Sequence, residues 1–429
     1  MSFSKKPVKG MTDFPPMDMR LRNTVLAEIR ETYAQFGFEQ IETPCMEHIG
    51  NLTSKQGGDN EKLIFRIQKR GAALARAWDA AVESSDPAAR DGLVDTGLRY
   101  DLTVPLARFY ANNKEQLPSP FRALQVGPVW RADQPAKGRF RQFVQCDIDV
   151  LGDATCLAEI ELITATSTAL ERVLGRAGIH EFTVHVNDRR ILQAAALKAG
   201  FAEEELGGVL VTLDKLDKIG FDGVRAELLE NGADEQVVET YLALFSEEPG
   251  DAFSATFCNA VDAEVLGPVA ENLDEIIRAS SDLVDEGVQI VFDPTLVRGM
   301  GYYTGPIFEV TVDAFNISIA GGGRYDEMIG KFSGEDVCAC GFSIGFERII
   351  AVLRDANVTG DEGEAAEAVA FLVDGKASAE RRLEALRAAQ ALRAEGCEAA
   401  VLPMRKNMKR QIATLEAEGF TRFEKIWAQ

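Results

Sequence analysis

The stretch RFRQFVQCDIDVLG, residues 139–152, has the alternating pattern of a half-buried β-strand. Successive side chains of a strand point to opposite sides, so every second residue shares a face. One face carries, in order, Arg139, Arg141, Phe143, Gln145, Asp147 and Asp149. This face runs from two cations through an aromatic ring to two carboxylates, an order that suits a nucleotide phosphate beside an amine-bearing substrate. The water-facing side of an antiparallel sheet could carry the same charges, so the strand alone leaves both interpretations open.

Length and composition limit the number of domains and the class of protein that the chain can form. Its 429 residues exceed one compact core and predict two or three domains. No apolar run reaches the roughly 18 residues that span a membrane, and the first residues lack the apolar core of a signal peptide. We therefore expect a soluble, cytoplasmic protein with no membrane partner. The seven cysteines are scattered and odd in number, which argues against a disulfide framework and for a reducing compartment.

The formal net charge of −22 is concentrated in one part of the chain. Residues 201–286 hold 4 basic and 22 acidic side chains, whereas residues 366–429 hold 11 basic and 9 acidic ones. The acidic part would repel a polyanion such as nucleic acid, while the rest of the chain would tolerate one. The acidic part also has helical patterning between strand-like segments, which is typical of an inserted helical module.

Three arginines outside the strand stand in segments that can approach a ligand. Arg131 lies in VGPVWRADQP, Arg298 in TLVRGMGYYTG and Arg348 in GFERII. The glycines after Arg298 let the backbone come close to a ligand, and Tyr302 and Tyr303 can hydrogen-bond it. The segment AGGGRYD repeats this combination of glycine and tyrosine. Each arginine by itself could be an ordinary surface charge, so the sequence points to a site only when the segments are taken together.

No general base is evident in these segments, since His48, His180 and His185 lie outside them. There is also no nucleophile elbow and no array of metal ligands, and the metal ligands of any site stay unknown. A site rich in arginine and lacking a base suits a reaction whose nucleophile is already charged. Attack of a carboxylate on the α-phosphate of ATP is such a reaction, because it needs in-line positioning and charge neutralisation rather than removal of a proton.

Five motifs follow one another along the chain: GFEQIETP, FRALQVGPVWRADQPAKGRFRQFVQCDIDVLG, LVRGMGYYTGPIFEV, AGGGRYDEM and CGFSIGFERII. The first, second and last resemble motifs 1, 2 and 3 of the class II aminoacyl-tRNA synthetases. The third and fourth are similar to two signatures of the histidyl-tRNA synthetases within that class. The resemblance covers nearly the whole chain, and five motifs in the right order argue strongly against a chance match.

The resemblance implies a role for each cation and for one aromatic ring. Arg131 would hold the α-phosphate of ATP, while Arg139 and Arg348 would hold the distal phosphates. Phe143 would stack on adenine. Arg298 would be the catalytic cation between the carboxylate of histidine and the α-phosphate. The resemblance implies ATP as a substrate with Mg2+, and no tightly bound cofactor is expected.

The resemblance also implies which residues bind histidine: Asp101, Thr103, Gln145, Asp149, Tyr302, Tyr303 and Tyr325. The first three would bind the α-amino group, while Asp149 and Tyr303 would each satisfy one imidazole nitrogen. Asp101 and Asp149 stand where many family members carry glutamate, which keeps the charge but shortens the reach. Ala136 stands where the family often has a glutamine directed at the extra 5′ nucleotide of the histidine tRNA.

The implied fold is α+β, with the class II antiparallel sheet and its flanking helices, a helical insertion and a C-terminal α/β domain. The predicted domains are a catalytic domain in two parts, 1–188 and 287–354, an acidic helical insertion, 189–286, and a short anticodon-binding-like α/β domain, 366–429. In the last of these, the residue pattern itself predicts β-α-β-α-β. Arg141 is expected to be a more distant or RNA-facing cation, with Asp147 as its counterpart near the amino acid.

The implied partners are L-histidine, ATP and tRNA(His), and a homodimer is expected because motif 1 usually lies at a subunit interface. Two functions are compatible with the resemblance: a histidine–tRNA ligase, and a synthetase-like regulatory subunit of ATP phosphoribosyltransferase in histidine biosynthesis. The regulatory subunit would be expected to lose adenylation residues or the C-terminal domain. Because Arg131, Arg298 and Arg348 and most of that domain are present, the sequence favours the enzyme.

Overall fold

A computed structural model describes residues 3–53, 58–136, 138–245, 253–298, 301–312, 317–359 and 368–428. The chain divides into two compact units, one formed by Met1–Asp13 and Leu26–Val358 and the other by Phe14–Val25 and Thr359–Gln429. The predicted start of the C-terminal domain, residue 366, lies outside the described residues. Within the described ranges, no helix combines the length and the apolar character needed to cross a membrane.

The strands and helices are defined here in chain order. The strands are β1 (Glu39–Gln40), β2 (Met46–His48), β3 (Arg66–Gln68), β4 (Val94–Leu98), β5 (Phe121–Trp130), β6 (Gln142–Leu151), β7 (Phe182–Asp188), β8 (Val288–Phe292), β9 (Pro306–Val312), β10 (Ile317–Arg324), β11 (Ala339–Gly345), β12 (Ala368–Val373), β13 (Glu398–Pro403) and β14 (Arg422–Ile426). The α-helices are α1 (Pro16–Gln35), α2 (Ile49–Thr53), α3 (Gly71–Glu83), α4 (Thr103–Asn113), α5 (Leu157–Gly175), α6 (Arg189–Ala199), α7 (Leu206–Leu213), α8 (Leu216–Glu230), α9 (Glu235–Ala243), α10 (Phe253–Leu283), α11 (Asp326–Ser333), α12 (Phe346–Asp355), α13 (Ala379–Ala394) and α14 (Met408–Ala417).

A large sheet forms the centre of the first unit, in the order β1-β5-β6-β11-β10-β9-β7-β8. From β5 through to β7 every neighbouring pair is antiparallel, while β1 and β8 pair in parallel at the two edges. A smaller antiparallel sheet, β2-β4-β3, lies in the same unit. The prediction of an α+β fold built on an antiparallel sheet is therefore confirmed.

Strand β6 lies in the middle of this sheet, between β5 and β11. Its predicted apolar face is buried: Cys146 and Ile148 are fully inaccessible and Val150 is nearly so. The strand begins only at Gln142, so the prediction of a continuous strand from Arg139 was wrong. The backbone before it makes a tight turn, in which the amide and carbonyl of Ala136 bond the carbonyl and amide of residue 139, three positions later.

Two helices cover the buried face of the sheet because their own apolar residues are numerous. Helix α5 packs against β6 and β11, and thirteen of its residues are buried. Helix α12 packs against β6 and β10 and begins at Phe346, which is fully inaccessible. Helix α11 packs against α4, and the left-handed Gly334 ends it (φ 73°). These contacts fix the strands whose opposite faces carry the polar residues discussed below.

The segment predicted as a helical insertion, residues 189–286, contains α6 to α10. Asp188 caps α6 by accepting a hydrogen bond from the amide of Arg190, and Asp234 caps α9 in the same way. An aromatic cluster fills the space between these helices: the ring centroids of Tyr241 lie 5.5 Å from Phe201 and 5.1 Å from Phe245. The acidic residues are thus carried on helices that share an apolar core.

The second unit contains the sheet β13-β12-β14, in which all pairs are parallel. The predicted β-α-β-α-β order is confirmed. Ser378 caps α13 by accepting a hydrogen bond from the amide of Arg381, and Gly396 and Gly419, which follow α13 and α14, have φ of 88° and 96°. One face of β12 packs under α13 and the other under α14, because both faces of this central strand are apolar.

Candidate active site

A cavity of about 1030 Å³ opens over β6, β11, β10 and β9. All twelve residues that the sequence predicted to bind or catalyse line this cavity: Asp101, Thr103, Arg131, Arg139, Phe143, Gln145, Asp149, Arg298, Tyr302, Tyr303, Tyr325 and Arg348. They come from segments up to 247 residues apart in the chain, from position 101 to position 348. The fold therefore gathers them into one place, and the roles assigned to them can be compared with their surroundings.

Arginines converge on one end of the cavity. The Arg131 side chain donates to the carbonyl of Tyr100 (3.1 Å), and its guanidinium lies 4.3 Å from the centroid of the Tyr100 ring and 5.2 Å from that of Phe143. Arg139 is exposed at the tight turn before β6. Arg348 is half-buried in the first turn of α12 and donates to the carbonyl of Ser318. Burial, together with the positive charge of Arg139 and the other arginines, lowers the pKa of Arg348.

Arg298 stands apart from the other arginines because it has a carboxylate partner. Its guanidinium pairs with Glu309 on β9 and also hydrogen-bonds the hydroxyl of Tyr303. Burial opposes the charged form, but the Glu309 carboxylate outweighs it and raises the pKa of Arg298. A side chain at position 321 would not fit here, since a Cβ on Gly321 would lie 2.5 Å from the guanidinium carbon. The signature glycine thus makes room for the cation.

Carboxylates lie at the other end of the cavity, on β6 and at the start of α4. Asp149 is 3% exposed and accepts a hydrogen bond of 2.6 Å from the Tyr325 hydroxyl. Burial raises the pKa of Asp149 to about 7, although the bond from Tyr325 works against the shift. Asp101 is 2% exposed, accepts from the amide of Val104 (3.1 Å), and has its pKa raised by burial.

The three tyrosines form a connected cluster over this end. The rings of Tyr302 and Tyr303 have centroids 4.8 Å apart, and those of Tyr302 and Tyr325 are 6.0 Å apart. The Tyr302 hydroxyl hydrogen-bonds both Thr103 and Tyr303. Burial raises the pKa of all three hydroxyls, which keeps them neutral and able to donate. The cluster links α4, the segment before β9, and the end of β10.

Sequence reasoning missed some residues of the cavity wall, among them Ser343 and Glu309, the partner of Arg298. Asp147, expected near the amino acid but given no ligand, lies in the wall beside Asp149, and Ser343 faces it from β11. The available signal was the alternation along β6 and β11, because residues two apart on paired strands share a face.

Two further residues differ in where the structure places them. Arg141 does not line the cavity, in keeping with its expected role as a more distant cation; its side chain donates to the carbonyl of Asp133 (3.0 Å) and packs over Gly10. His185, set aside because it lies outside the motifs, does line the cavity, since β7 pairs with β9. Its Nε2 lies 2.9 Å from Oγ1 of Thr311, and its Nδ1 lies 3.1 Å from a carboxylate oxygen of Asp293. This imidazole is thus held by its neighbours at the β8 side of the wall.

Comparisons with known proteins show which proteins this chain is similar to. A family model described as histidyl-tRNA synthetase matches residues 93–349. The histidine–tRNA ligase of Leifsonia xyli subsp. xyli is 46% identical over 357 residues, which cover 81% of this chain and 80% of the relative. The probable histidine–tRNA ligase of Tropheryma whipplei is 41% identical over 366 residues, or 82% and 80% of the two chains.

A solved structure shares the fold along the full length. It is an ATP phosphoribosyltransferase regulatory subunit/histidyl-tRNA synthetase from Bacillus halodurans C, and it covers 100% of both chains with a TM-score of 0.77 at 21% sequence identity. At that identity the likeness establishes the fold alone.

Proposed function

Because the chain belongs to the histidyl-tRNA synthetase family, we infer that it is a histidine–tRNA ligase, which activates L-histidine with ATP and then esterifies tRNA(His). The observation that carries this inference is the single cavity with arginines at one end and carboxylates at the other. A triphosphate suits the first end and the cationic amino group of an amino acid suits the second.

In the first step, we propose that the carboxylate oxygen of histidine attacks the α-phosphorus of ATP while the bond to the β-phosphate oxygen breaks, so that pyrophosphate leaves. Charge develops on the phosphate oxygens, and fixed cations in a partly dry site stabilise it. Arg131 and Arg298 are the cations proposed for the α-phosphate. The Glu309 pair supports this role for Arg298, because it holds the guanidinium in one place before the substrate arrives.

For ATP, we propose that Phe143 stacks on adenine and that Arg139 and Arg348 bind the distal phosphates. The lowered pKa of Arg348 supports this: burial is its first cause, and the positive charge of Arg139 and of the other arginines, which a polyanion would relieve, is its second. ATP would enter as its Mg2+ complex, as a substrate. In the part of the chain that the structure describes, no group of three acidic, histidine or cysteine side chains is placed to hold a metal. Phosphate oxygens and water would then supply most of the ligands.

For histidine, we propose that Asp149 and Tyr303 each satisfy one imidazole nitrogen and that Asp101, Thr103 and Gln145 lie at the amino group. Tyr325 would orient Asp149, because its hydroxyl already donates to that carboxylate. Tyr302 would hold Thr103 and Tyr303 in place. Leucine or phenylalanine would leave these buried groups unpaired, at a cost of about 1–3 kcal/mol per group, and so would be rejected.

In the second step, the oxygen of the terminal ribose of tRNA(His) attacks the acyl carbon, the bond to AMP breaks, and the hydroxyl proton passes to the departing phosphate or to water. We propose that residues 366–429 contact the anticodon and that the helical insertion lies near the acceptor stem. A homodimer and a cytoplasmic location are proposed with the same activity.

Histidine-dependent exchange of pyrophosphate into ATP tests the first step directly. We expect the purified chain to catalyse exchange with L-histidine and not with leucine or phenylalanine. Absence of exchange would contradict the enzyme and support the regulatory subunit of ATP phosphoribosyltransferase instead. The regulatory function is not favoured, because Arg131, Arg298 and Arg348 all line the cavity.

A further inference from the structure

Among the residues that the structure describes, three buried acceptor oxygens in the cavity wall have no hydrogen-bond partner. They are Oδ2 of Asp101, Oε1 of Gln145 and Oδ1 of Asp147, and all three residues line the cavity. Their residues are 2%, 8% and 5% exposed, so water does not reach these atoms freely. A buried acceptor without a partner costs about 1–3 kcal/mol, and three of them in one place indicate that a ligand with several donors belongs there.

The sheet register brings the three residues together. Gln145 and Asp147 are two apart on β6 and therefore share a face. Asp147 pairs across the sheet with Gln125 on β5. The amide of Gln125 in turn donates to the carbonyl of Leu102 (3.0 Å), the residue after Asp101. The start of α4 is thereby tied to the strand position opposite Asp147.

Ser343 determines which side-chain atoms of Gln145 and Asp147 remain without a hydrogen-bond partner. It is the cross-strand neighbour of Asp147 on β11. The side-chain amide of Gln145 donates to Oγ of Ser343 (2.8 Å), and the serine hydroxyl donates to the carboxylate of Asp147. Because the nitrogen of Gln145 is committed to Ser343, only its oxygen remains for a ligand. Both side chains therefore offer acceptors alone.

An ammonium group matches these three oxygens in number and in charge. It has three N–H donors and no acceptor, and its positive charge offsets the carboxylates. Thr103 lies beside the same group in the proposed function, but its hydroxyl already hydrogen-bonds Tyr302, so it is not one of the oxygens left without a partner. Asp149 is engaged by Tyr325 at the neighbouring position on β6. Asp147 is therefore the residue that completes the set.

We propose that Asp147 binds the α-ammonium of the amino-acid substrate, together with Asp101 and Gln145, and that Ser343 is the positioning residue that aims Gln145 and Asp147 at it. This assignment rests on the proposed function, since it takes histidine as the ligand. It adds a carboxylate that neither the motifs nor the resemblance assigned to the amino group. It also gives a reason for serine at position 343.

Two non-reacting histidine analogues separate binding of the ammonium from the integrity of the fold. L-Histidinol keeps the ammonium and the imidazole, while 3-(imidazol-4-yl)propionate keeps the imidazole and lacks the ammonium. Titration calorimetry of the full chain would give both dissociation constants. For Asp147→Ala, we expect histidinol to bind roughly 10- to 100-fold more weakly and imidazolylpropionate to bind at least as well as before. For Ser343→Ala, the same selectivity should appear with a loss of about 3- to 10-fold.

The matched control is Asp222→Ala, which removes a fully exposed carboxylate on α8 and should change neither constant. Equal weakening of both analogues by Asp147→Ala would mean a structural role and would overturn the proposal, as would no weakening of either. Failure of the unmodified chain to bind histidinol would overturn the proposed function itself. The ratio of the two constants within one variant distinguishes these outcomes even when a substitution lowers stability.

Discussion

At one end of the cavity the charges stand on turns and helix starts, whereas at the other end they stand on the central strand of the sheet. Arg139 lies in a tight turn and Arg348 in the first turn of α12, while Asp147 and Asp149 lie on β6. Burial is the first cause of a pKa shift at each end, lowering the pKa of Arg348 and raising that of Asp149, and neighbouring like charges act in the same direction. Arg139 is exposed and Arg131 and Arg348 are half-buried, whereas the carboxylate end is buried.

This difference suggests that the two ends of the cavity contribute differently to ligand binding. Exposed cations are screened by water and salt, so each should contribute modestly to binding a mobile polyanion. Buried carboxylates are costly to keep charged, so they should discriminate strongly for a ligand that neutralises or hydrogen-bonds them. Substitutions at the two ends should therefore differ in size, in ligand dependence and in their effect on folding.

The largest effect is expected for Arg298→Ala, since this cation lies between the two ends. Loss of one fixed donor to a developing charge costs roughly 10²- to 10³-fold in rate. We expect pyrophosphate exchange to fall by that factor while histidinol binding persists, because histidinol has no carboxylate for Arg298 to meet. The control Arg225→Ala, on the exposed surface of α8, should exchange normally. Near-normal exchange by Arg298→Ala would show that it is not the catalytic cation.

A large effect on stability is expected for Asp149→Asn. The folded-state pKa of about 7 lies above the usual 3.8, so the native state holds a proton that the unfolded state releases. The free energy of unfolding of the unmodified chain should therefore fall as pH rises from about 4 to about 7, and the amide variant should escape this loss. The difference should reach the order of 4 kcal/mol above pH 7 and vanish below pH 4. Urea unfolding at several pH values measures it, and a pH-independent difference would contradict the prediction.

Ten of the twelve cavity residues could be predicted because they lie in the five compact motifs, whereas Asp101 and Thr103 followed only from the family resemblance. Sequence reasoning failed where pairing between distant segments decides the surroundings. His185 lines the cavity only because β7 pairs with β9, a contact across more than a hundred residues of chain. Ser343 matters only because β11 lies beside β6.

The position of Arg141 was mispredicted for a local reason. Strand periodicity was extended back to Arg139, but β6 begins only at Gln142. The amide of Arg141 donates to the carbonyl of Gly10, a residue outside the sheet, so Arg141 does not follow the alternation of the strand. Strand alternation thus predicted the polar face within β6, from Phe143 to Asp149, and failed for Arg141, which precedes the strand.

A smaller effect that acts only at the carboxylate end is expected for Gly341→Ala. A Cβ at position 341 would lie 2.0 Å from Oδ1 of Asp149, so the carboxylate must move away from its place beside Tyr325. We expect the KM for histidine to rise about 10- to 50-fold, as for loss of one charged hydrogen bond, while the KM for ATP stays unchanged. Gly267→Ala in α10, where a Cβ meets nothing within 4 Å, is the matched control. A rise in both KM values would mean that the two ends are coupled.

The smallest effect is expected for Arg139→Lys, compared with Arg141→Lys as its partner. Both residues precede β6, but Arg139 lines the cavity whereas Arg141 donates to the carbonyl of Asp133. Lysine keeps the charge and loses the bidentate grip on a phosphate, and exposure to water limits the cost. The KM for ATP should rise about 3- to 10-fold for Arg139→Lys, less at high salt, and stay unchanged for Arg141→Lys. Equal effects would mean that Arg141 also contacts the phosphates, contrary to its place outside the cavity and to its expected role as a more distant cation.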